Sequence, residues 1–208
     1  MKHQNQKIQF LTQFSILVAI EAIFCFTPLG SLPALGPIVA TLAMIPVVIT
    51  ALLLGTKAGS AMGAIAGLFS FIVWTFMPPN PITAFVFTPF YSLGEFQGNF
   101  GSLLICFVPR ILTGTVAGLV YAALSKKSEK RDTLHYALSA GLGSLTNTLL
   151  VMAGIWIFFG QQYSSLAGSS ILILIGTTIL TSGIPEAIVA AIAAPAVCKP
   201  VKIVLSQK

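Results

Sequence analysis

Residues 57–77 read KAGSAMGAIAGLFSFIVWTFM: one lysine, then twenty residues without a charge. At 1.5 Å per residue a helix of that length covers about 30 Å, the thickness of a bilayer's hydrocarbon core. The glycines in and just before this stretch add a second message. Gly55, Gly59, Gly63 and Gly67 recur every fourth residue and form one bare stripe along a helix. Such a stripe lets a neighbouring backbone come close where lipid offers no hydrophobic drive for helix association. The stretch therefore reads as a membrane helix packed tightly against another.

The rest of the chain agrees. Of its 208 residues 56% are apolar and 8% charged, against about 25% charged in an ordinary soluble domain. So few charges could not cover a water-exposed surface, so the solvent for most of the chain is lipid. Apolar stretches at 8–26, 38–54, 57–77, 101–124, 134–159 and 170–197 make the expected fold an all-α integral membrane bundle of six transmembrane helices, a single domain over 1–208. The first is expected to be a retained span, since no small-x-small cleavage site follows it. Between the third and fourth, Pro78, Pro79, Pro81 and Pro89 break any helix. Residues 78–100 are expected to form a long ordered loop that dips into the protein. Small-residue spacing returns at Gly114 and Gly118 and at Ala187 and Ala191.

Charge placement orients the bundle. With the N-terminus inside, Lys2, Lys7, Lys57, Lys126, Lys127, Lys130, Arg131, Lys199, Lys202 and Lys208 all fall on the cytoplasmic side. The three outer loops, around Gly30, Gln97 and Gln161, then hold no Lys or Arg. The reverse orientation breaks the positive-inside rule ten times, so both termini are expected in the cytoplasm. The same placement, in short clusters between apolar runs, does not suit a phosphate-tracking groove, and no nucleic acid is expected as a partner.

Catalytic inventory is thin. His3 and His135 lie at the cytoplasmic edge, and Cys25, Cys106 and Cys198 fall in separate apolar runs with no CxxC spacing. Gly55-Thr-Lys-Ala-Gly59 lacks the GxxxxGK[ST] spacing of a phosphate loop and reads as an interhelical turn. The expectation is no enzyme, no metal site and no cofactor.

Three ionisable residues lie at membrane depth: Glu21, Arg110 and Glu186. Each costs at least about 2.5 kcal/mol there and is a functional candidate for that reason. Arg110 follows Pro109 and Glu186 follows Pro185; each proline leaves the carbonyl four residues back, of Ile105 or Thr181, without its helical donor. Asn147 on the fifth span sits within about 4 Å of the depth of Arg110. A guanidinium fork and an amide at one level suit a carboxylate together with a hydroxyl or amide. Arg110 also reads as a counter-ion to Glu21 or Glu186, with Asn147 stitching two helices; for the two glutamates the structural reading is preferred. Aromatic residues crowd the outer end, among them Trp74, Phe85, Phe87, Phe90, Tyr91, Phe96, Phe100 and Trp156. An interfacial aromatic belt accounts for some of them, but a proline-laden loop of this length reads better as a lid.

Several stretches resemble the substrate-binding S components of energy-coupling-factor (ECF) vitamin transporters: Phe26-Thr-Pro-Leu-Gly30, Met44-Ile-Pro-Val-Val48, Leu54-Gly-Thr-Lys-Ala-Gly59, Phe107-Val-Pro-Arg-Ile111, Thr146-Asn-Thr148 and Gly183-Ile-Pro-Glu-Ala187. The likeness covers nearly the whole chain and is most similar to the pantothenate type, on the arginine of the fourth span and the Asn147 region. It implies a high-affinity vitamin-binding subunit in the cell membrane, with pantothenate favoured over hydroxymethylpyrimidine, folate or riboflavin. Substrate is expected near the outer face between spans four to six, with Arg110, Asn147, Tyr91 and Trp74 as contacts. It also implies docking through the first span onto a membrane scaffold subunit that carries two cytosolic ATPases, and toppling in the bilayer to deliver substrate. Where the family has alanines four apart on that span, this chain has Ser15 and Ala19, with Ala22 on the same face. A stand-alone ion-coupled carrier is the weaker alternative, because six spans without an internal repeat lack such carriers' paired halves. A membrane enzyme would need a buried nucleophile–base pair, and none is evident.

Overall fold

The computed structural model describes residues 2–30, 42–126 and 132–206. The start of the second expected span and the cluster Lys127, Lys130 and Arg131 lie outside the described residues, as does Lys208. The order of elements is α1 (Lys2–Phe26), a 3-10 turn Pro28–Gly30, α2 (Met44–Leu54), α3 (Thr56–Phe76), a 3-10 helix Pro81–Val86, a hairpin of β1 (Ser92–Leu93) and β2 (Phe96–Gln97), α4 (Phe100–Ser125), α5 (Asp132–Ala167), α6 (Ile171–Thr178), a π-helical turn Ile179–Gly183 and α7 (Ile184–Ser206).

Five helical stretches among the described residues are long and apolar enough to cross a membrane: Gln6–Phe26, Thr56–Phe76, Phe100–Ser125, Asp132–Ser165 and Ile171–Val204. The fold is all-α and of multi-pass membrane type. α2 is shorter. Its 11 residues span about 16 Å, and Met44 and Pro46 to Leu52 are all buried, so it is a core helix enclosed by its neighbours. α5 runs well beyond the expected 134–159. Its 36 residues reach about 54 Å, more than a bilayer core is thick.

The glycine stripes face each other. A Cβ on Gly63 would meet the carbonyl of Arg110, one on Gly114 the carbonyl of Gly59, and one on Gly118 the Cα of Thr56 at 2.7 Å. α3 and α4 therefore touch backbone to backbone from Thr56 to Gly63. Hydroxyls stitch the same seam, with Ser60 and Thr115 sharing a hydrogen bond of 2.8 Å. Gly141 on α5 faces Ala187 and Ala191 of α7, whose nearest atoms lie 3.7 and 3.8 Å from a Cβ built there. Between α2 and α3, Gly55 adopts φ 93°, a conformation that L side chains avoid.

Residues 78–100 fold inward. Thr83 to Thr88 are buried, and two bonds pin them: Thr75 and Thr88 share a hydrogen bond of 2.8 Å, and Ser102 Oγ donates to the Phe85 carbonyl at 2.7 Å. Asn99 caps α4 by accepting from the Gly101 amide at 2.7 Å, and its own amide donates to Ser102 Oγ at 3.1 Å. One hydroxyl thereby ties the loop to the start of α4.

The last hydrophobic stretch is not one uniform helix. Pro185 has no N–H to donate, and the chain widens just before it into a π-turn in which the Ile184 amide donates to Ile179, five residues back. A π-bulge is one of the few ways a helix passes such a proline. The freed carbonyl expected at Thr181 is thus part of a wider turn, over Ile179–Gly183.

Candidate functional site

Arg110 is 8% exposed, on a helix whose preceding proline removes a backbone donor. Its Nη1 donates to the Ile105 carbonyl at 2.7 Å, the acceptor that Pro109 leaves vacant. Nη2 reaches Ser70 Oγ on α3 at 3.5 Å, and the guanidinium lies over the Phe87 ring, 5.4 Å from its centroid, within cation–π range. Nε is enclosed and has no partner. Of five guanidinium hydrogens two are engaged, so a planar anion would still find a donor pair along the Nε edge.

Aromatic rings build the wall around this cation. Trp74 is 8% exposed and stacks on Phe87 at 4.5 Å. Phe85 meets Phe159 of α5 edge-on at 5.5 Å. Trp74, Phe85, Phe87, Phe159 and Tyr163 belong to one buried cluster, against which Tyr91 packs half-buried. Three of the four expected contact residues, Arg110, Trp74 and Tyr91, thus converge on one apolar cluster.

Asn147 stands apart from them. Gly143 meets Thr113 and Ala117 of α4, and Gly154 meets Ile105, so the antiparallel register sets Asn147 roughly level with Arg110. No hydrogen bond joins the two. The Asn147 Oδ1 is enclosed and unpartnered, as is the hydroxyl of Tyr163. A buried polar atom without a partner costs about 1–3 kcal/mol, so both are groups that a ligand's donors would relieve.

The two glutamates differ in setting. Glu21 is fully buried and accepts from Cys25 Sγ at 3.3 Å, and its Oε2 has no partner. The carboxyl lies within electrostatic reach of Arg110 without forming an ion pair. Glu186 is half-buried in the first turn of α7.

Four residues of this region were not singled out in the sequence: Ser70, Phe87 as the ring beneath the guanidinium, Cys25 as the donor to Glu21, and Tyr163. Ser70 and Trp74 continue the α3 stripe from Gly63 and Gly67 at helical spacing, a signal that points both at α4. Tyr163 lies beyond the expected end of its span and carried no such signal.

A cleft of 740 Å³ opens near the end of α5, bordered by Trp156, Ile157, Gln161, Gln162, Ser165 and Ile171. It contains none of the expected contacts, and Trp156 and Ile157 stand 57% and 70% exposed, as residues facing lipid do. Arg110 lies outside this cleft.

The face of α1 expected to dock is open. Ser15 and Ala19 are exposed and Ala22 is half-buried, while Phe14, Leu17, Val18 and Cys25 pack against the bundle. Only 6% of its apolar stretch is buried, against 39% for α3.

Residues 9–198 match the family model described as ECF transporter, substrate-specific component. The chain is also 30% identical over 197 residues to the pantothenic acid transporter PanT of Lactococcus lactis subsp. cremoris, an alignment covering 94% of this chain and 93% of that protein.

Proposed function

The chain belongs to the family of ECF-transporter substrate-specific components, and from that premise we propose that it is the high-affinity pantothenate-binding subunit of an ECF importer. The observation that carries this reading is the Arg110 mount: a buried guanidinium held by Ile105 and Ser70, backed by Phe87, with its Nε edge unengaged. Pantothenate has one carboxylate, two hydroxyls, an amide and a gem-dimethyl end. The carboxylate suits the free edge of Arg110, the apolar end suits the rings of Trp74 and Tyr91, and Asn147 and Tyr163 offer unpartnered polar atoms for the hydroxyls and amide. The similarity to a pantothenic acid transporter supports the same ligand.

The remaining parts of the reading follow from charge and exposure. The bundle has six spans, and both termini face the cytoplasm. The first helix docks through Ser15, Ala19 and Ala22 onto a membrane scaffold subunit, and two cytosolic ATPase subunits supply the energy. The family is one of transporter components and not of enzymes.

Titration calorimetry with pantothenate and with panthenol, its primary-alcohol analogue, tests the assignment. Pantothenate is expected to bind tightly and panthenol at least roughly thirtyfold more weakly, because the alcohol leaves the guanidinium edge without an anion. Equal affinities would remove the carboxylate from the recognition, and with it the role given to Arg110.

A further inference from the structure

Glu21 has no part in the mechanism so far, yet it is the one fully buried carboxyl among the described residues. It lies on α1, the most exposed of the long helices, between Val18 and Cys25, which pack against the cluster of Met62 and Ala66 on α3. Gly63 and Ser70 of that same helix meet Arg110 on its other neighbour α4. One oxygen accepts a thiol hydrogen from Cys25 and the other accepts nothing. A carboxylate left so poorly donated in an apolar interior is relieved by a cation or by a proton. The cation within electrostatic reach is Arg110, and its Nε is likewise unpartnered.

Other charges facing this carboxyl are few. On α1 itself the ionisable groups are Cys25 and, about four to five turns away at the other end, Lys7, His3 and Lys2. α2 carries none. α3 carries only Lys57, exposed in its first turn. α4 contributes Arg110 and Cys106, whose thiol donates to the Gly67 carbonyl at 3.5 Å. The charge balance of the site therefore comes down to Glu21 and Arg110.

We propose that Glu21 is a positioning residue that balances the charge of Arg110 when the site is empty and takes up a proton when an anionic ligand binds, so that ligand binding is linked to protonation on α1. The proposal rests on the reading that a carboxylate binds Arg110. Where the pH leaves Glu21 ionised in the empty protein, its charge and the guanidinium offset each other. A ligand carboxylate entering the Nε edge repels ionised Glu21, and one proton from solvent converts Glu21 to the neutral acid. By linkage the proton strengthens ligand binding as much as the ligand strengthens proton binding. The sign follows: affinity rises as pH falls, by up to about tenfold per pH unit where one proton is taken up per ligand. Because the group sits on the helix that carries the docking face, occupancy of the site changes the charge carried by that helix.

The test is calorimetry of pantothenate binding to the whole protein, in two buffers of different ionisation enthalpy, from about pH 5 to about pH 9. For the wild type the apparent enthalpy is expected to differ between buffers by the heat of proton uptake, and the affinity to rise as pH falls. Glu21→Gln is expected to show neither effect and to bind with the wild type's acid-limit affinity at every pH. Wild-type binding that releases no buffer-dependent heat at any pH overturns the proposal, whatever becomes of the variant. So does a Glu21→Gln protein that keeps the wild-type pH profile. If Arg110→Ala loses affinity in the same series while Glu21→Gln tracks the wild type, the linkage falls and the carboxylate site stands. If Arg110→Ala binds like wild type, both fall together.

Discussion

The Ile105 carbonyl, left without a helical donor by Pro109, accepts a hydrogen bond of 2.7 Å from Nη1 of Arg110, the very next residue. The proline thus creates an acceptor inside an apolar bundle, and the arginine beside it uses that acceptor as a mount. Anchoring one end of the guanidinium to its own helix fixes a side chain that would otherwise lose considerable rotamer freedom on gripping a ligand.

Pro109→Ala is therefore expected to weaken binding without weakening the helix. The substitution would restore the missing backbone N–H, which would compete with Arg110 for the Ile105 carbonyl, while a proline leaving a helix interior is itself favourable by up to about 3 kcal/mol. Pantothenate affinity should drop roughly tenfold while the thermal midpoint holds or rises. Unchanged affinity in calorimetry would make the Ile105 contact a helix repair and nothing more.

Arg110→Ala removes the fork itself. The expected loss is about 2–4 kcal/mol, or roughly 30- to 1000-fold in affinity. Arg110→Lys should recover only part of it, since a point charge replaces two parallel donors and cannot lie flat over Phe87. Lys126→Ala, at the far end of α4, should bind like wild type. A titration in which Arg110→Ala matches wild type would send the carboxylate site elsewhere.

How much of this was legible follows from what each residue's signal is made of. The α3–α4 seam was visible because glycines at four-residue spacing have few other uses in an apolar run, and the structure puts Gly63 against Arg110 and Gly114 against Gly59. Arg110 was visible because charge at membrane depth is costly, and the carbonyl freed at Ile105 because proline lacks an N–H. That the two satisfy each other was not, because side-chain direction is not written in spacing. The lengths of α2 and α5 escaped for a different reason: hydropathy marks where lipid would suit a residue, not where a helix stops. The Ser92–Gln97 hairpin and the π-turn before Pro185 are local backbone solutions with weak composition signals. Tyr163 lay past the expected end of its span, so its enclosed hydroxyl could not be placed beside Phe87 and Trp74.

Gly63→Ala probes the seam directly. The new methyl would occupy the position of the Arg110 carbonyl, so α4 must shift away from α3. Overpacking of this kind costs about 1–3 kcal/mol. Both the thermal midpoint and the pantothenate affinity should fall, because the displaced turn carries the guanidinium. Gly176→Ala is the control: a Cβ there meets nothing within 4 Å, so affinity should hold and the thermal midpoint should hold or rise, since alanine is the better helix former.

Orientation can be read with a membrane-impermeant thiol reagent on intact cells. On a background with Cys25, Cys106 and Cys198 replaced, a cysteine at the exposed position Gln161 should label from outside, and one at Ser128 should label only after lysis. The charge asymmetry of the ends and loops motivates this. Labelling at 128 in intact cells would invert the topology.

The exposed face of α1 separates binding from transport. Phe14, Leu17, Val18 and Cys25 hold the helix to the bundle, and Glu21 is fully enclosed. Ser15 and Ala19 are exposed on another side of the same helix, amid Leu11, Ile16, Ile20 and Ile23, which are 60%, 55%, 37% and 49% exposed. Small residues at that spacing let a partner's backbone approach closely, whereas a face that meets only lipid tolerates bulk at almost no cost. Ala19→Trp is therefore expected to leave the pantothenate affinity of the isolated protein within about twofold of wild type, since the position is exposed and away from the packed side of the helix. Uptake in cells that express the scaffold and ATPase subunits should collapse, and the variant should no longer copurify with the scaffold. Affinity and uptake falling together would assign the face to the fold. If neither changed, the face would meet lipid alone, and docking would have to use another surface of the bundle.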